Sequence, residues 1–256
     1  MTEIHAAAQQ GFSSGAQTYA RGRPGYPPDI LPWLIGEFGI TANMTVVDLG
    51  AGTGKFTKLL VQAGAKVVAV EPVDEMRAQL AVSLPDLRVL AGTAETIPLD
   101  ADSVDALLCA QAFHWFATKA ALREIHRVLR PGGRLGLVWN VRDESVDWVA
   151  AITGIIMPYE GDAPRFHNGN WRMSFTGQYF TPLERTAFVY QHVGTPQQVI
   201  LDRFLSVSFI AALPEQERAN VAGQLRTLIE SHPALRQKKT IIFPYRTEAF
   251  WCRRID

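Results

Sequence analysis

The sequence has little cysteine and no excess charge of either sign. Its two cysteines, Cys109 and Cys252, are too few for a disulfide framework and lack metal-ligand spacing. The six histidines form no ligand pattern with one another or with the cysteines. The chain has 25 basic residues (Lys and Arg) and 25 acidic residues (Asp and Glu). No net field therefore draws it to nucleic acid or to an anionic membrane. We therefore expect no bound metal, no nucleic-acid partner and a reducing, cytoplasmic environment.

Long hydrophobic runs are also missing. No stretch approaches 18 consecutive apolar residues, and the N-terminus lacks the basic and apolar regions of a secretory signal. The sequence therefore predicts a protein that is neither secreted nor membrane-spanning. With 256 residues, of which 47% are hydrophobic, the chain is long enough to bury a sizeable core. No linker or repeat divides it, so we expect a single domain over residues 1–256.

Five short apolar runs alternate with stretches of helical character. Continuous hydrophobicity within the runs is typical of parallel strands that are covered on both faces. The runs occupy residues 45–50, 65–72, 87–92, 104–110 and 133–140, and the helical stretches occupy 54–63, 74–82 and 117–129. Repeated alternation of strand and helix predicts right-handed crossovers and an open parallel α/β sheet.

The pattern changes after residue 140. A helix is predicted over 146–157, and it is followed by an irregular, aromatic-rich stretch typical of a lid or binding loop. The remaining elements are predicted as a strand over 184–193, helices over 196–207 and 214–231, and a closing strand over 239–255. In that closing strand, Pro244 indicates a bulge or a sheet edge.

The segment VVDLGAGTGKFT, at the end of the first strand, has glycine at every second position from 50 to 54. A P-loop would need glycine at 49 and Ser or Thr at 56, where Leu49 and Phe56 stand. The dinucleotide fingerprint would need its third glycine at 55, where Lys55 stands. The turn therefore favours a ligand without a diphosphate. Asp48 offers that ligand a carboxylate that accepts from an ammonium or a hydroxyl group.

An acidic residue also ends the second strand. Glu71 follows Asp48 at about the separation at which dinucleotide-binding folds hold a ribose. A nucleoside without a phosphate bridge fits both anchors, and S-adenosylmethionine is the obvious candidate. The alternative is that the glycines form only a tight turn and that Glu71 is solvated.

Several segments, taken in order, carry a resemblance to a known family. They are VVDLGAGTGKFT (46–57), VEP (70–72), GTAETIPL (92–99), SVDALLCAQAFHWF (103–116) and RVLRPGGRLGLVWN (127–140). These segments resemble the successive motifs of class I S-adenosylmethionine-dependent methyltransferases, and the type 11 group most of all. YARGRPGYP (19–27), WNVRD (139–143) and FPYRTEAFWCRR (243–254) further resemble a small-molecule subgroup that includes fungal trans-aconitate methyltransferase.

The resemblance implies a fold and its subdivision. The implied fold is a Rossmann-like α/β fold, with an open, mostly parallel seven-stranded sheet, helices on both faces, and a helical, aromatic lid inserted after the fifth strand. Its parts are an N-terminal cap segment (1–40), a cofactor-binding core (41–140), a lid with helices and the sixth strand (141–235), and the closing strand (236–256).

The resemblance also implies S-adenosyl-L-methionine as the cofactor. In this family the glycine turn faces the methionyl part of the cofactor, an acid like Glu71 holds the ribose, and an N-terminal segment folds over the ligand. The implied cofactor-binding residues are Tyr19, Arg23, Asp48, Gly50, Ala51, Gly52, Gly54, Glu71, Pro72, Met76, Thr93, Ala94, Glu95, Ala110 and Gln111.

The chemistry of such a cofactor makes few demands on side chains. A sulfonium methyl is already activated, so transfer mainly needs a positioned nucleophile and the exclusion of water. His114 follows the fourth strand, where open α/β sheets bind ligands, and is the candidate catalytic base. The alternative is that His114 is structural or only orients the acceptor. The residues expected to bind the acceptor are Trp115, Trp139, Asn140, Arg142 and Trp171, although the tryptophans suit a core equally well.

The acceptor is the least defined part of the prediction. After the fourth strand, residues 112–115 read AFHW rather than the polar-Pro-Pro-aromatic motif of nucleic-acid amino-methyltransferases. We therefore expect a small-molecule methyl acceptor, with a carboxylate or hydroxyl oxygen favoured. Two alternatives stay open: a catalytically silent scaffold that binds S-adenosylmethionine, and a nicotinamide-dependent oxidoreductase, against which Lys55 argues. The sequence indicates no oligomeric state.

Overall fold

Seven strands form one sheet in the computed structural model of the protein, which describes residues 23–256. The strands are β1 (Thr45–Leu49), β2 (Lys66–Val70), β3 (Arg88–Leu90), β4 (Val104–Ala110), β5 (Leu129–Arg142), β6 (Glu184–Gly194) and β7 (Ile241–Arg253). Their order across the sheet is β3-β2-β1-β4-β5-β7-β6. β7 alone runs in the opposite direction to the other six strands. The predicted open, mostly parallel α/β fold is therefore confirmed.

Helices connect the strands and cover both faces of the sheet. The α-helices are α1 (Ile30–Gly36), α2 (Thr57–Gln62), α3 (Asp74–Ser83), α4 (Lys119–Val128), α5 (Asp147–Ile156), α6 (Arg203–Leu205), α7 (Ser208–Ala211) and α8 (Glu215–Ser231). Short 3₁₀ turns occupy Phe113–Trp115, Met157–Tyr159 and Asn170–Ser174, and Gln197–Asp202 is π-helical.

The sequence of β4 explains why helices lie on both faces. Successive side chains of a strand point to opposite sides, so Leu107 and Leu108 enter different parts of the core. Leu107 belongs to a buried cluster with Ile125 of α4. Leu108 belongs to a second cluster, with Leu34 of α1 and Leu60 of α2. Because both faces are covered, the strand needs apolar residues at consecutive positions.

A third cluster lies where the chain between β5 and β7 packs on the sheet. Ile152 of α5, Phe204 of α6, Leu225 of α8 and Phe243 of β7 are all fully buried within it. The rings of Phe204 and Phe243 have centroids 5.6 Å apart. This packing fixes the backbone of α6 and therefore the position of Arg203, which precedes Phe204.

Two element boundaries differ from the prediction for local steric reasons. Helix α2 begins at Thr57 rather than at residue 54, because Gly54 has φ of 85° and still belongs to the turn. Strand β5 begins at Leu129 rather than at residue 133, so the Pro-Gly-Gly sequence lies inside the strand. There the pairing with β4 jumps from Leu129 to Arg134, which is a bulge.

The stretch predicted as one helix over 196–207 has a different form. A π-helical turn, Gln197–Asp202, precedes the short α6, Arg203–Leu205. A π turn bonds residues five apart and shifts everything after it around the helix axis relative to α-helical spacing. The direction of Arg203 therefore cannot be obtained from helical periodicity.

Pro244 is in an interior strand, which corrects the expectation of a sheet edge or a bulge. Its carbonyl accepts a hydrogen bond from the Asp143 N–H at 3.2 Å, so its backbone faces the β5 side of β7. Arg142, the last residue of β5, pairs with Tyr245. The ladder between β5 and β7 therefore ends one position before it would reach Pro244. The missing N–H of the proline therefore leaves the ladder between β6 and β7 intact.

Candidate active site

The glycine turn after β1 opens onto a cavity at the carboxyl ends of the strands. Gly50, Gly52 and Gly54 have φ of 71°, 56° and 85°, in the region that favours glycine. A Cβ on Gly50 would lie 2.7 Å from the Cβ of Ala112, and one on Gly54 would lie 2.2 Å from Leu80. A Cβ on Gly52 would meet nothing within 4 Å. The outer glycines thus permit close packing, and the middle one borders open space.

We name this space the turn cavity. It brings together many of the predicted cofactor residues from the ends of β1 and β4 and from the segment that precedes α1. Those on its walls are Arg23, Asp48, Gly50, Ala51, Gly52, Ala110 and Gln111. Their convergence follows from the parallel order of β1 and β4, whose carboxyl ends lie side by side.

Asp48 carries a buried acceptor atom that has no partner in the described residues. Its side chain is fully buried, and its Oδ2 accepts a hydrogen bond from the Thr57 hydroxyl at 2.6 Å. Its Oδ1 is buried without a hydrogen bond. Burial raises the pKa of Asp48 to about 7, and the nearby Glu71 adds to the rise. An unpaired acceptor of this kind is suited to an ammonium group.

Glu71 is tied to the glycine turn rather than solvated. Its Oε2 accepts from the Gly52 N–H at 2.9 Å, and its Oε1 accepts from the Val73 N–H at 3.0 Å. Burial raises the pKa of Glu71, while the two backbone hydrogen bonds act in the opposite direction. Because each carboxylate oxygen has two lone pairs, both oxygens keep capacity for a hydroxyl donor.

The other predicted cofactor residues lie beyond the walls of the turn cavity. Pro72 and Met76 follow β2, and Met76 is buried. Thr93, Ala94 and Glu95 follow β3, with Ala94 buried and Thr93 bridged to Thr96. Gly54 packs on α3 through Leu80. Tyr19 lies outside the described residues.

A second cavity adjoins the turn cavity on the side of β5. Arg23, Gln111, Asn140 and Arg203 line both. The predicted residues His114, Trp115, Trp139, Asn140 and Arg142 line this second cavity, together with Arg165, Glu144 and Glu160. We name it the arginine cavity. Two adjoining cavities that share a wall are what transfer between two bound molecules requires.

Positive charge dominates the arginine cavity. Four arginines line it against two glutamates, which leaves an excess of two positive charges if the histidines are neutral. The glutamates approach Arg142 and Arg165 only at ion-pair distances of 3.6 and 3.7 Å. Arg203 forms no ion pair with a described residue, and its Nε and Nη1 are buried without hydrogen bonds. Nε and Nη2 of Arg165 are also buried without hydrogen bonds, although Nε lies 3.7 Å from Glu160 Oε2.

Burial and mutual repulsion lower the pKa of two of these arginines. Burial lowers the pKa of Arg165 to about 10, and Arg142 and Arg203 act in the same direction against Glu160. The pKa of Arg142 is also lowered, first by burial and then by Arg203. Buried cations that repel one another and lack acceptors indicate that an anionic partner completes the site.

Among the described residues, His114 makes one hydrogen bond, and it is to Trp139. The indole Nε1 lies 3.0 Å from His114 Nδ1. Burial lowers the pKa of His114 to about 3, with Arg165, Arg23 and His167 contributing. The ring is therefore neutral at physiological pH. The sequence does not indicate this hydrogen bond, because it joins residues at the ends of two different strands.

Trp171 lies behind the cavity wall and does not line the arginine cavity. Only 2% of its surface is exposed. Its ring centroid is 4.7 Å from that of Trp139, 5.2 Å from that of Phe250 and 5.9 Å from that of Phe166. The prediction that Trp171 binds the acceptor is replaced by a supporting role, since its ring packs directly on Trp139.

Three features of the site have weak sequence signals or none. Gln111 has φ of 60°, a strained conformation for a residue other than glycine, and it borders both cavities. The amine of Lys55 donates to the Arg23 carbonyl, and burial, followed by repulsion from Arg23 and Arg203, lowers the pKa of Lys55 to about 8. Arg203 belongs to the segment whose π-helical turn the sequence does not indicate.

Neither cysteine is exposed on the surface of residues 23–256. Cys109 and Cys252 are both buried and free. Within those residues, no group of three or more His, Cys, Asp or Glu side chains is arranged to hold a metal ion. None of the helices in that part of the chain has the length and hydrophobicity needed to cross a bilayer.

Comparison with known proteins gives consistent matches. Residues 47–137 match a family described as a methyltransferase domain. A protein of Mycobacterium tuberculosis named as an uncharacterized methyltransferase is 44% identical over 236 residues, which is 92% of each chain. A solved putative methyltransferase from an antibiotic biosynthesis pathway of Anabaena variabilis has a TM-score of 0.63 at 19% identity, covering 90% of this chain and 98% of that one.

A further solved structure is phosphoethanolamine N-methyltransferase 2 of Haemonchus contortus, in complex with phosphomonomethylethanolamine and S-adenosylhomocysteine. It has a TM-score of 0.58 at 13% identity and covers 100% of this chain and 61% of that one. These two structural matches establish the fold, and the mycobacterial relative establishes the family. The resemblance to trans-aconitate methyltransferase stays a prediction. The chain belongs to the type 11 methyltransferases and has the class I S-adenosylmethionine-dependent methyltransferase fold.

Proposed function

We propose that the protein transfers the methyl group of S-adenosylmethionine to a carboxylate oxygen of a small anionic acceptor. The observation that carries this proposal is the arginine cavity, where Arg165 and Arg203 present buried guanidinium N–H groups without hydrogen-bond partners. A carboxylate accepts charge-assisted hydrogen bonds from such groups and compensates their positive charge. A neutral acceptor would leave their positive charge uncompensated.

The turn cavity suits the cofactor. The unpaired Oδ1 of Asp48 would accept from the cofactor ammonium, and the open face of Gly52 leaves room for the methionyl chain. Glu71 would hold the ribose through the remaining lone pairs of its carboxylate. Backbone groups of Ala110 and Gln111 would contact the amino-acid end. The neighbouring residues Pro72, Met76, Thr93, Ala94 and Glu95 would border the adenine. The Haemonchus contortus enzyme, a fold relative, was solved with the demethylated cofactor.

The chemistry makes a carboxylate a suitable acceptor. The cofactor, when bound, supplies a sulfonium methyl, so that an O–CH₃ bond forms as the S–CH₃ bond breaks and its electron pair stays on sulfur. A carboxylate with an ordinary pKa near 4 is already ionised at neutral pH, so no proton has to move. The residues of the protein then have two tasks, which are to orient the oxygen and to exclude water.

A hydroxyl acceptor fits this site less well. A hydroxyl group must lose its proton during transfer, and a base near the operating pH would be required. His114, the predicted base, has a pKa lowered to about 3 by burial and by nearby cations. An imidazole with so low a pKa takes up a proton poorly. The silent-scaffold alternative is separated from this proposal by turnover alone.

Turnover with labelled cofactor tests the proposal. The protein is incubated with methyl-labelled S-adenosylmethionine and a panel of mono-, di- and tricarboxylic acids, phenols and amines. We expect label in a methyl ester, which mild alkali converts to volatile labelled methanol. Label that resists alkali would mean transfer to a hydroxyl or amine and would contradict the carboxylate. Tight binding of S-adenosylhomocysteine with no turnover on any acid would instead support a scaffold.

The state of Asp48 predicts how cofactor affinity depends on pH. In the free protein the pKa of Asp48 is about 7, whereas binding of an ammonium selects the ionised form. Below that pKa a proton must be released on binding, so the Kd for S-adenosylhomocysteine should rise as pH falls, by up to about tenfold per pH unit. Calorimetry between pH 7.5 and 5.5 measures this slope.

The matched variant for this measurement is Asp48→Asn. Its amide keeps an oxygen for the Thr57 hydroxyl, which donates to Asp48 Oδ2 at 2.6 Å in the native chain. It removes the titrating group, so the affinity should be weaker and nearly independent of pH over the same range. A native chain with a constant Kd, or a variant with an unchanged slope, would show that Asp48 does not bind the ammonium.

A further inference from the structure

The hydrogen bond between Trp139 and His114 determines which ring nitrogen of the histidine carries a proton. An indole Nε1–H is a donor only. Because it lies 3.0 Å from His114 Nδ1, that nitrogen must be the acceptor and must be unprotonated. A neutral imidazole carries its single proton on the other nitrogen. His114 therefore holds its proton on Nε2.

The surroundings of His114 keep this ring neutral. The groups that act on it are cationic or titratable and come from several segments: Arg165 and His167 after α5, and Arg23 before α1. The carboxylate of Glu160 faces two of these groups, at 3.7 Å from Arg165 Nε and 3.3 Å from His167 Nε2. A protonated imidazole would be repelled by the arginines and would lose the hydrogen bond from Trp139. The Nε2–H form is thus the stable form in the arginine cavity.

Within residues 23–256, the Nε2 atom is the part of His114 left available. Nδ1 is bonded to Trp139, and no described residue accepts a hydrogen bond from Nε2. The ring is half-buried on the wall of the arginine cavity, beside Trp115, whose ring centroid is 5.3 Å away. The cavity is therefore lined by guanidinium donors and, at His114, by a neutral donor of fixed orientation.

We propose that His114 binds the methyl acceptor by donating its Nε2–H to a carboxylate oxygen, and that Trp139 is the positioning residue that fixes this tautomer. The inference rests on the proposed function, because the carboxylate is the group that receives the hydrogen bond. It gives His114 the role of a donor and replaces the role of a base. One carboxylate oxygen accepts from His114, and the other is free to form the bond to the methyl carbon.

The base role would require the opposite tautomer. To accept a proton on Nε2, the neutral ring would have to carry its proton on Nδ1. Two N–H donors, of Trp139 and His114, would then face each other at 3.0 Å with no acceptor between them. A buried donor without an acceptor is strongly unfavourable. The hydrogen bond therefore excludes the base-competent form as long as the indole remains in place.

Imidazole ¹⁵N spectra of the free protein test the tautomer without any turnover. The signal of His114 is identified by its loss in His114→Gln. We expect the Nε2–H tautomer to persist between pH 5 and 8, and Trp139→Phe, which keeps a ring but removes the indole N–H, to shift the ring toward a mixture. A native spectrum with the proton on Nδ1, or a ring that becomes doubly protonated above pH 5, would overturn the proposal.

Titration of the free protein with succinate then tests the contact itself. We expect the Nε2–H signal of His114 to move on saturation, and the signal of His232, which lies near Asp147 and does not line the cavity, to stay unchanged. Binding of succinate with no change at His114 would overturn the donor role. This measurement needs no catalysis, so a failure of the proposed function, seen as an absence of methyl transfer, is distinguishable from a failure of this inference.

Kinetics of two variants separate donor from base once an acceptor is turned over. Gln offers an amide N–H near the position of Nε2 but cannot act as a base, so His114→Gln should keep kcat within about tenfold of the native value. His114→Leu should raise the KM of the acceptor about 10- to 100-fold through loss of the donor. A large loss of kcat in His114→Gln at unchanged KM would overturn the proposal in favour of a base.

Discussion

Replacing Arg165 and Arg203 together by methionine is expected to raise the KM of the acceptor at least about 100-fold. Each guanidinium presents two buried nitrogens without hydrogen bonds to described residues. A hydrogen bond to a charged group contributes about 1.5–3 kcal/mol, or roughly 10- to 150-fold in affinity, so two such losses have a large combined effect. Steady-state kinetics with the acceptor found by labelled turnover measures the change.

The same double variant should bind the acceptor more weakly without losing stability. Arg142, Arg165 and Arg203 are half-buried near one another, and burial, followed by repulsion among them, lowers the pKa of the first two. Replacing these arginines with apolar side chains of similar length removes both the cost of their desolvation and their repulsion of each other and of Arg142. In thermal unfolding, we therefore expect the Tm of the variant to be equal to or higher than that of the native protein.

Two control variants make this result specific. Arg172 lies over the Trp171 ring at 4.4 Å and lines neither cavity, so Arg172→Met should leave the KM of the acceptor unchanged. Arg165→Met alone should leave the affinity for S-adenosylhomocysteine unchanged, because Arg165 does not line the turn cavity. An acceptor KM that is indifferent to the double replacement would remove the anionic acceptor from the proposal.

Replacing Trp171 by alanine is expected to destabilise the protein by about 3–5 kcal/mol. Its ring is buried and packs on Trp139, Phe166 and Phe250, and no small rearrangement can fill the resulting cavity. Chemical denaturation measures the free energy of unfolding, and the Tm should fall by roughly 10 °C, given about 2–4 °C per kcal/mol for a chain of this size.

The matched variant is Trp171→Phe, which keeps an aromatic ring at the centre of the cluster. The Nε1 of Trp171 is buried and has no hydrogen-bond partner within residues 23–256, so its removal should offset part of the lost packing. We expect a loss of less than about 1.5 kcal/mol, as for conservative core substitutions. Equal effects of alanine and phenylalanine would mean that the ring contacts contribute little.

The sheet and the glycine turn could be predicted because local sequence controls them. Strands covered on both faces need consecutive apolar residues, and β1 and β4 have them, as in Val46–Val47 and Leu107–Leu108. The positive φ angles of Gly50, Gly52 and Gly54 need residues without a Cβ, which leaves a recognisable spacing. Both signals arise within a few consecutive residues.

The walls of the arginine cavity could not be predicted in the same way. Arg165 follows a short 3₁₀ turn, and Arg203 follows a π-helical turn, so neither lies in an element whose periodicity indicates a direction. The presence of a tryptophan in the sequence also does not show whether its ring lines a cavity or lies in the core behind it. Trp139 and Trp171 are both buried. The indole of Trp139 donates a hydrogen bond to His114 at the cavity wall, whereas Trp171 belongs to the aromatic cluster behind that wall.

The two cavities draw most of their walls from separate stretches of chain. The turn cavity uses mainly residues 48–56 and 110–111, and the arginine cavity uses mainly residues 139–167 and 203–209. Mutations that alter the second set need not disturb the strand order or the glycine turn. Descendants of one ancestral gene are therefore able to diverge in the arginine cavity while inheriting the same turn cavity.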